Sequence, residues 1–219
     1  PHVYPVAIMP RLIATTVGSL ALVLVLAAPA AAAGPPFPAP VDGRYVYDTA
    51  GVFSAPVVAE VQARLVAIEQ RTGAEVVVYT QVQSGVDEQE ARDDADALGN
   101  QWGIGQAGFD DGLVVLFDLD ASRCHGQIRL DPGSGFAATY LSEADLQGIY
   151  EDDMLPHLAG GACDMDGAVL AAAAQIDASV TPERAAQLAA ARQAHAVAGL
   201  IGAPLACVLL AGLALLAWW

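Results

Sequence analysis

The sequence predicts an α/β domain, a three-layer α/β/α sandwich, followed by a single C-terminal transmembrane helix. Three observations carry this. Segments with strand character alternate with segments of helical periodicity between residues 42 and 180. One strand, Gly112 to Asp118 (GLVVLFD), is apolar without alternation, which marks a strand covered on both faces. The stretch from Ala196 to Trp219 carries no charge over a length that matches a bilayer core of about 30 Å.

The elements follow in order. Arg44 to Tyr47 forms a short strand closed by Asp48, and Thr49-Ala50-Gly51 turns the chain. Ser54 is the N-cap of a helix with Val57, Val58, Val61, Leu65 and Ile68 at helical spacing, stopped by Gly73. Ala74 to Val82 is a β-branched strand. Asp87 to Trp102 is a helix with Ala91, Ala95, Leu98 and Trp102 on one face and a dense acidic face opposite. Gly103 to Asp111 is a loop, Gly112 to Asp118 the central strand, and Gly126 to Leu130 a further strand. Gly133-Ser134-Gly135 turns the chain. Ser142 and Asp145 form a capping box for a helix that ends before Pro156. Asp166 to Ala178 is a small-residue helix, and Thr181-Pro182-Glu183 starts one more.

The two ends predict export and anchoring. Met9-Pro10-Arg11, the apolar run Leu20 to Ala28 and the small residues after it read as a signal peptide over 1–33, cleaved after Ala33. An uncleaved N-terminal anchor is the alternative. Residues 1–8 precede the first Met and read as an over-extended start. Residues 34–41 are a Pro-rich linker, 42–180 the domain, 181–195 a juxtamembrane helix and 196–219 the membrane span. The expected location is the cell membrane, single-pass, with the domain extracytoplasmic. Two cysteines fall in the domain, Cys124 and Cys163, and an oxidising compartment predicts a disulfide between them.

The formal net charge is −16, and every acidic residue lies between Asp42 and Glu183. The chain has no Lys, so all nine basic residues are Arg. Such a domain repels nucleic acid and anionic headgroups and attracts cations. Nucleic acid is therefore excluded as a partner, and the membrane is expected as one through the single span.

Three motifs suggest other chemistry and lose on their own terms. Asp118-Leu119-Asp120-Ala121-Ser122 has the form of an aspartyl-phosphate nucleophile motif, but that chemistry calls for a Lys. Cys124 to Arg129 has one residue too few for a cysteine-phosphatase loop. Gly133-Ser134-Gly135-Phe136-Ala137-Ala138 imitates a dinucleotide fingerprint without the βαβ context it needs.

Several segments in this order resemble the TPM-domain family: Val46 to Ser54 (VYDTAGVFS), Thr72 to Val78 (TGAEVVV), Trp102-Gly103-Ile104-Gly105, Asp110 to Leu116 (DDGLVVL), the Gly133 to Phe136 turn and Met154-Leu155-Pro156. The resemblance covers about residues 42–178. It implies the layout of signal peptide, domain and C-terminal membrane helix. That family includes thylakoid proteins linked to photosystem II repair and bacterial envelope proteins, and acid phosphatase activity and divalent-cation binding have been attributed to some members. The sequence departs from the family in Cys124 and Cys163, and in keeping only Arg123 and Arg129 where a basic cluster is usual.

These readings give one expected site, a divalent-cation site with calcium as the ion, built from Asp48, Asp110 and Asp111. Asp48 closes the first strand, the Asp pair precedes the central strand, and the resemblance implies that these positions line a shared cleft. Calcium takes several oxygen ligands, and Gly103 to Gly108 leaves backbone carbonyls accessible. The expected function is a cation-binding extracytoplasmic module acting through membrane or envelope partners. The alternatives are a metal-assisted acid phosphatase of broad, low activity and a purely structural or interaction domain.

Overall fold

The computed structural model describes residues 33–190 and residue 193. The expected signal peptide, apart from Ala33, and the expected membrane span 196–219 lie outside the described residues. Among the described residues no helix is long and apolar enough to cross a membrane.

A four-stranded sheet organises the domain. Its strands are β1 (Val46–Asp48), β2 (Val76–Val82), β3 (Leu113–Leu119) and β4 (Gly126–Pro132), in spatial order β1-β2-β3-β4. The first three are parallel and β4 returns antiparallel to β3. The helices are α1 (Ala55–Thr72), α2 (Glu88–Trp102), α3 (Ser134–Thr139), α4 (Glu143–Gly148), α5 (Leu155–Leu158) and α6 (Met165–Ser179), with a further helical stretch at 182–190.

Local chemistry explains the boundaries. Ser54 stands at the N-cap position of α1 but makes no side-chain cap bond; its N–H donates to Asp166 Oδ1 at 2.8 Å instead. Gly73 ends α1 in the left-handed region at φ 75°, where a Cβ is costly. Ser142 caps α4 with Asp145 in a reciprocal box, as the sequence predicts, and Asp87 with Glu90 does the same for α2, a box not foreseen from the sequence.

Two expectations change. Gly133-Ser134-Gly135 leads directly into α3. The helix begun at Ser142 does not stop before Pro156: it widens into a π-helical turn, Ile149–Met154, and continues as α5. Leu155 N–H bonds to Tyr150 O, five residues back, and Pro156 sits in the first turn of α5, where its missing N–H is not needed.

The sheet is covered on both faces. One face carries Tyr47, Tyr79, Gln81, Leu116 and Asp118, and α2 lies on it, with Trp102 against Tyr47 and Tyr79 at ring distances of 4.5 and 5.7 Å. The other carries Val78, Val115 and Phe117. There Phe53 packs edge-on against Phe117 at 5.3 Å, and α1 packs against α6. Arg71 at the end of α1 fastens this layer, donating to Asp177 O at 2.8 Å and to Val180 O at 3.1 Å. All seven residues of β3 are buried, as its unbroken apolar pattern predicts. Cys124, between β3 and β4, is bonded to Cys163, just before α6.

Candidate functional site

The three expected ligands do not meet. Asp48 registers with Thr80, and Thr80 with Phe117, so Asp48 lies at the C-terminal edge of the parallel strands. Asp110 and Asp111 precede Leu113 at the N-terminal edge. Asp111 is six residues short of Phe117, and at about 3.3 Å per residue that is about 20 Å along the sheet. Parallel strands put the end of one and the start of the other on opposite edges.

Each of the three has its own local task. Asp48 accepts from Val52 N and Phe53 N, both at 3.0 Å, and from Thr80 Oγ1 at 2.8 Å, bracing the turn into α1. Asp111 is fully buried and accepts from Gln106 N at 2.7 Å, pinning the glycine-rich loop to the head of β3. Asp110 sits at φ 52°, unusual for a residue with a side chain. Its Oδ2 accepts from Ser134 N at 2.8 Å, and its carbonyl from Gly135 N at 3.0 Å and Phe136 N at 3.2 Å. This close wrapping explains the glycines: a Cβ at Gly133 would stand 2.1 Å from Asp110 O, and one at Gly135 1.8 Å from Phe109 O. The apparent dinucleotide fingerprint is a packing requirement.

Asp110 faces a cavity of about 440 Å³ at this N-terminal edge. Its walls are the loop from Gly103 to Gly108, Asn100 and Asp96 from α2, and Asp131 from β4. Asp96 and Asp131 come within hydrogen-bonding reach of each other, and Arg129 donates to Asp131 from Nη2 at 3.2 Å. Burial, then the charge of Asp96, hold the Asp131 carboxyl above the usual range, and Arg129 opposes them. Two carboxylates this close need a proton or a cation between them. On the loop's far side Glu75 accepts from Gly105 N at 3.1 Å, and burial raises its pKa too.

Sequence reasoning missed Asp96 and Asp131. A strand taken as Gly126 to Leu130 ends before Asp131, and Asp96 lies on the dense acidic face of α2 with nothing in the sequence to single it out. One more residue of period-2 reading in Gly126–Pro132 puts Asp131 on the same face as Arg129, beneath α2.

A second polar cluster lies at the opposite edge. Gln81 Nε2 donates to Asp94 Oδ2 at 3.1 Å and to Asp118 Oδ1. Asp118 is fully buried, and its pKa is raised to about 7 by burial, with Asp94 adding to the rise and the Gln81 bond opposing it. Asp120, which completes the apparent nucleophile motif, caps the β3–β4 loop through Ser122 N at 2.8 Å. Cys124 is a disulfide partner and carries no thiolate. Among the described residues no group of three or more His, Cys, Asp and Glu is arranged to hold a metal ion.

One solved structure supports this architecture. The N-terminal domain of a protein from P. gingivalis, solved by NMR, is 29% identical, with a TM-score of 0.52, covering 63% of this chain and 85% of that one. The N-terminal domain of the cg2496 protein from Corynebacterium glutamicum is 18% identical at a TM-score of 0.46, covering 69% of this chain and 86% of that one. No curated protein matches. The TPM domain, the family also labelled TPM phosphatase, matches residues 46–179, which is more than half of the sequence and includes every strand and both acidic clusters, and the chain therefore belongs to the TPM-domain family.

Proposed function

We propose that this TPM domain is an extracytoplasmic module, anchored by the C-terminal segment, that binds a divalent cation and acts through a membrane or envelope partner. The observation that supports it is the Asp96–Asp131 pair at the wall of an open acidic cavity beside a glycine-rich loop. Two carboxylates and backbone carbonyls are the ligand types calcium takes, with water completing the shell and bridging to Asp110 on the same cavity wall. The expected site thus keeps Asp110, exchanges Asp48 for Asp96 and Asp131, and leaves Asp111 as the residue that holds the loop. The metal-assisted phosphatase reading has less support, because no Arg, Lys or His lines this cavity to take a phosphoryl oxygen.

Calorimetric titration of the full chain in detergent with calcium and with magnesium tests this. Saturable binding is expected, with an affinity loss of at least tenfold in an Asp96→Asn, Asp131→Asn variant and a smaller loss in Asp110→Asn. Binding that both variants retain in full, or none at millimolar calcium, refutes the proposal.

A further inference from the structure

The second cluster, Asp94, Asp118 and Gln81, is separate from the proposed cation site, and its surroundings point to a specific counter-charge. Gly34 is buried on it: its N–H donates to Gln81 Oε1 at 2.8 Å. A Cβ on Gly34 would stand 3.2 Å from Gln83 Oε1 and 3.8 Å from both oxygens of Asp94, so its nitrogen is within about one side-chain length of that carboxylate. The segment after it is strapped to α2. Phe37 N accepts no slack: it donates to Gln101 Oε1 at 2.9 Å, Gln101 Nε2 returns to Phe37 O at 2.6 Å, and Trp102 Nε1 donates to Pro38 O at 2.9 Å.

The cluster has more acceptors than donors and no positive charge paired to it among the described residues. Among the described residues, Asp118 Oδ2 and Gln83 Oε1 are buried with no hydrogen-bond partner. No Arg or His there is ion-paired with Asp94 or Asp118. Burial raises the pKa of both acids. Orphaned acceptors and unpaired buried acids are expensive in a native fold.

The bond preceding Gly34 is where the small-residue run Ala31-Ala32-Ala33 predicts cleavage, and Ala33 is exposed. Hydrolysis adds one water across the Ala33–Gly34 amide. Ala33 leaves with the carboxylate, and the Gly34 nitrogen becomes an ammonium with three N–H groups in place of one.

We propose that the α-ammonium of Gly34, created by this cleavage, is the built-in counter-charge of the buried Asp94–Gln81–Asp118 cluster, so that processing completes the domain. One N–H keeps Gln81 Oε1, and the other two serve Gln83 Oε1 and the Asp94 carboxylate. The positive charge then lies beside Asp94 and one Gln81 side chain away from Asp118, neither of which has an ion-pair partner among the described residues. The proposal rests on the reading of the chain as exported and processed, and it goes beyond the cation site.

The composition supplies a selective probe. Without Lys, a processed chain has one primary amine, its N-terminus. The full chain from Gly34 to Trp219, carrying a removable leader whose removal leaves Gly34 first, is prepared in detergent. After removal it is labelled with a succinimidyl ester at neutral pH. Folded protein is expected to label at least about tenfold more slowly than the same protein in denaturant, the slowing that a one-unit rise in the α-amine pKa produces. An Asp94→Asn, Asp118→Asn variant is expected to label several-fold faster than the parent. Leader removal is expected to raise the parent Tm by roughly 5 °C and to leave that of the variant unchanged; Asp94→Asn alone serves if the double variant does not fold. Equal labelling in folded and denatured protein, or no Tm gain on leader removal, overturns the ion pair while leaving export standing. N-terminal sequencing of the chain exported in cells that finds another first residue overturns processing as the source of the amine.

Discussion

Asp118 shows what burial does to a single acid. Its pKa rises to about 7, chiefly through desolvation, so a chain that still carries residues before Gly34 holds a proton there in the native state that the unfolded chain releases at ordinary carboxylate pH. The native state then binds more protons than the unfolded one between about pH 4 and pH 7. Its contribution to stability is complete below about pH 4 and is lost as pH rises to about 7, at about 1.4 kcal/mol per pKa unit. Denaturant midpoints of the unprocessed chain are therefore expected to fall over this range, and Asp118→Asn to flatten the slope. A parent slope that Asp118→Asn leaves unchanged would assign the effect to Asp94, Asp131 or Glu75, whose pKa values are also raised.

The disulfide acts on elements. Cys124 and Cys163 are 39 positions apart and tie the β3–β4 connection to the entry of α6, across a stretch that includes α3, the π-helical turn and α5. Closing a loop of that length restricts the unfolded chain and stabilises by about 4 kcal/mol on the chain-entropy account. A Cys124→Ser, Cys163→Ser variant is expected to melt roughly 10 °C lower, with the largest gain in amide exchange between Ser134 and Gly161. The segment is otherwise held by short helices and by the buried side chains of Phe136, Tyr140, Leu141, Leu146, Ile149 and Met154. An unchanged melting temperature in that variant would mean that these anchors alone hold the segment.

Taken as one charged body, the protein repels itself. With 25 acidic residues against nine basic ones the net charge is −16, and the exposed ion pairs, such as Arg64–Glu60 at 2.8 Å, offset little of the repulsion. Raising sodium chloride from about 10 mM to about 0.5 M shortens the screening length from about 30 Å to a few ångströms. The melting temperature is expected to rise by a few degrees. Calcium at low millimolar concentration is expected to raise it further than sodium does at equal ionic strength, since binding to a site adds to screening. Equal effects of the two salts would leave screening as the whole explanation.

The limits of α1 and α2, the Ser142 capping box and the buried central strand were legible in the sequence, because interactions among residues a few positions apart decide them, whereas α3 and the π-helical continuation past Met154 were not. Ser142 with Asp145 and Gly73 after α1 are each a local bargain between a side chain or a backbone angle and the nearest unsatisfied N–H or C=O. Co-location was not legible. Asp48 and Asp111 both sit at strand ends and look equivalent along the chain, yet parallel pairing sends them to opposite edges of the sheet. Asp96 and Asp131 are 35 positions apart and meet only because β4 runs antiparallel beside β3 under α2. Gly34 reaches Gln81 only because the Pro-rich segment folds back along α2 rather than leading away from the domain. Strand direction, register and the face a helix covers are properties of the assembled sheet, and they select which of many acidic residues share a cavity.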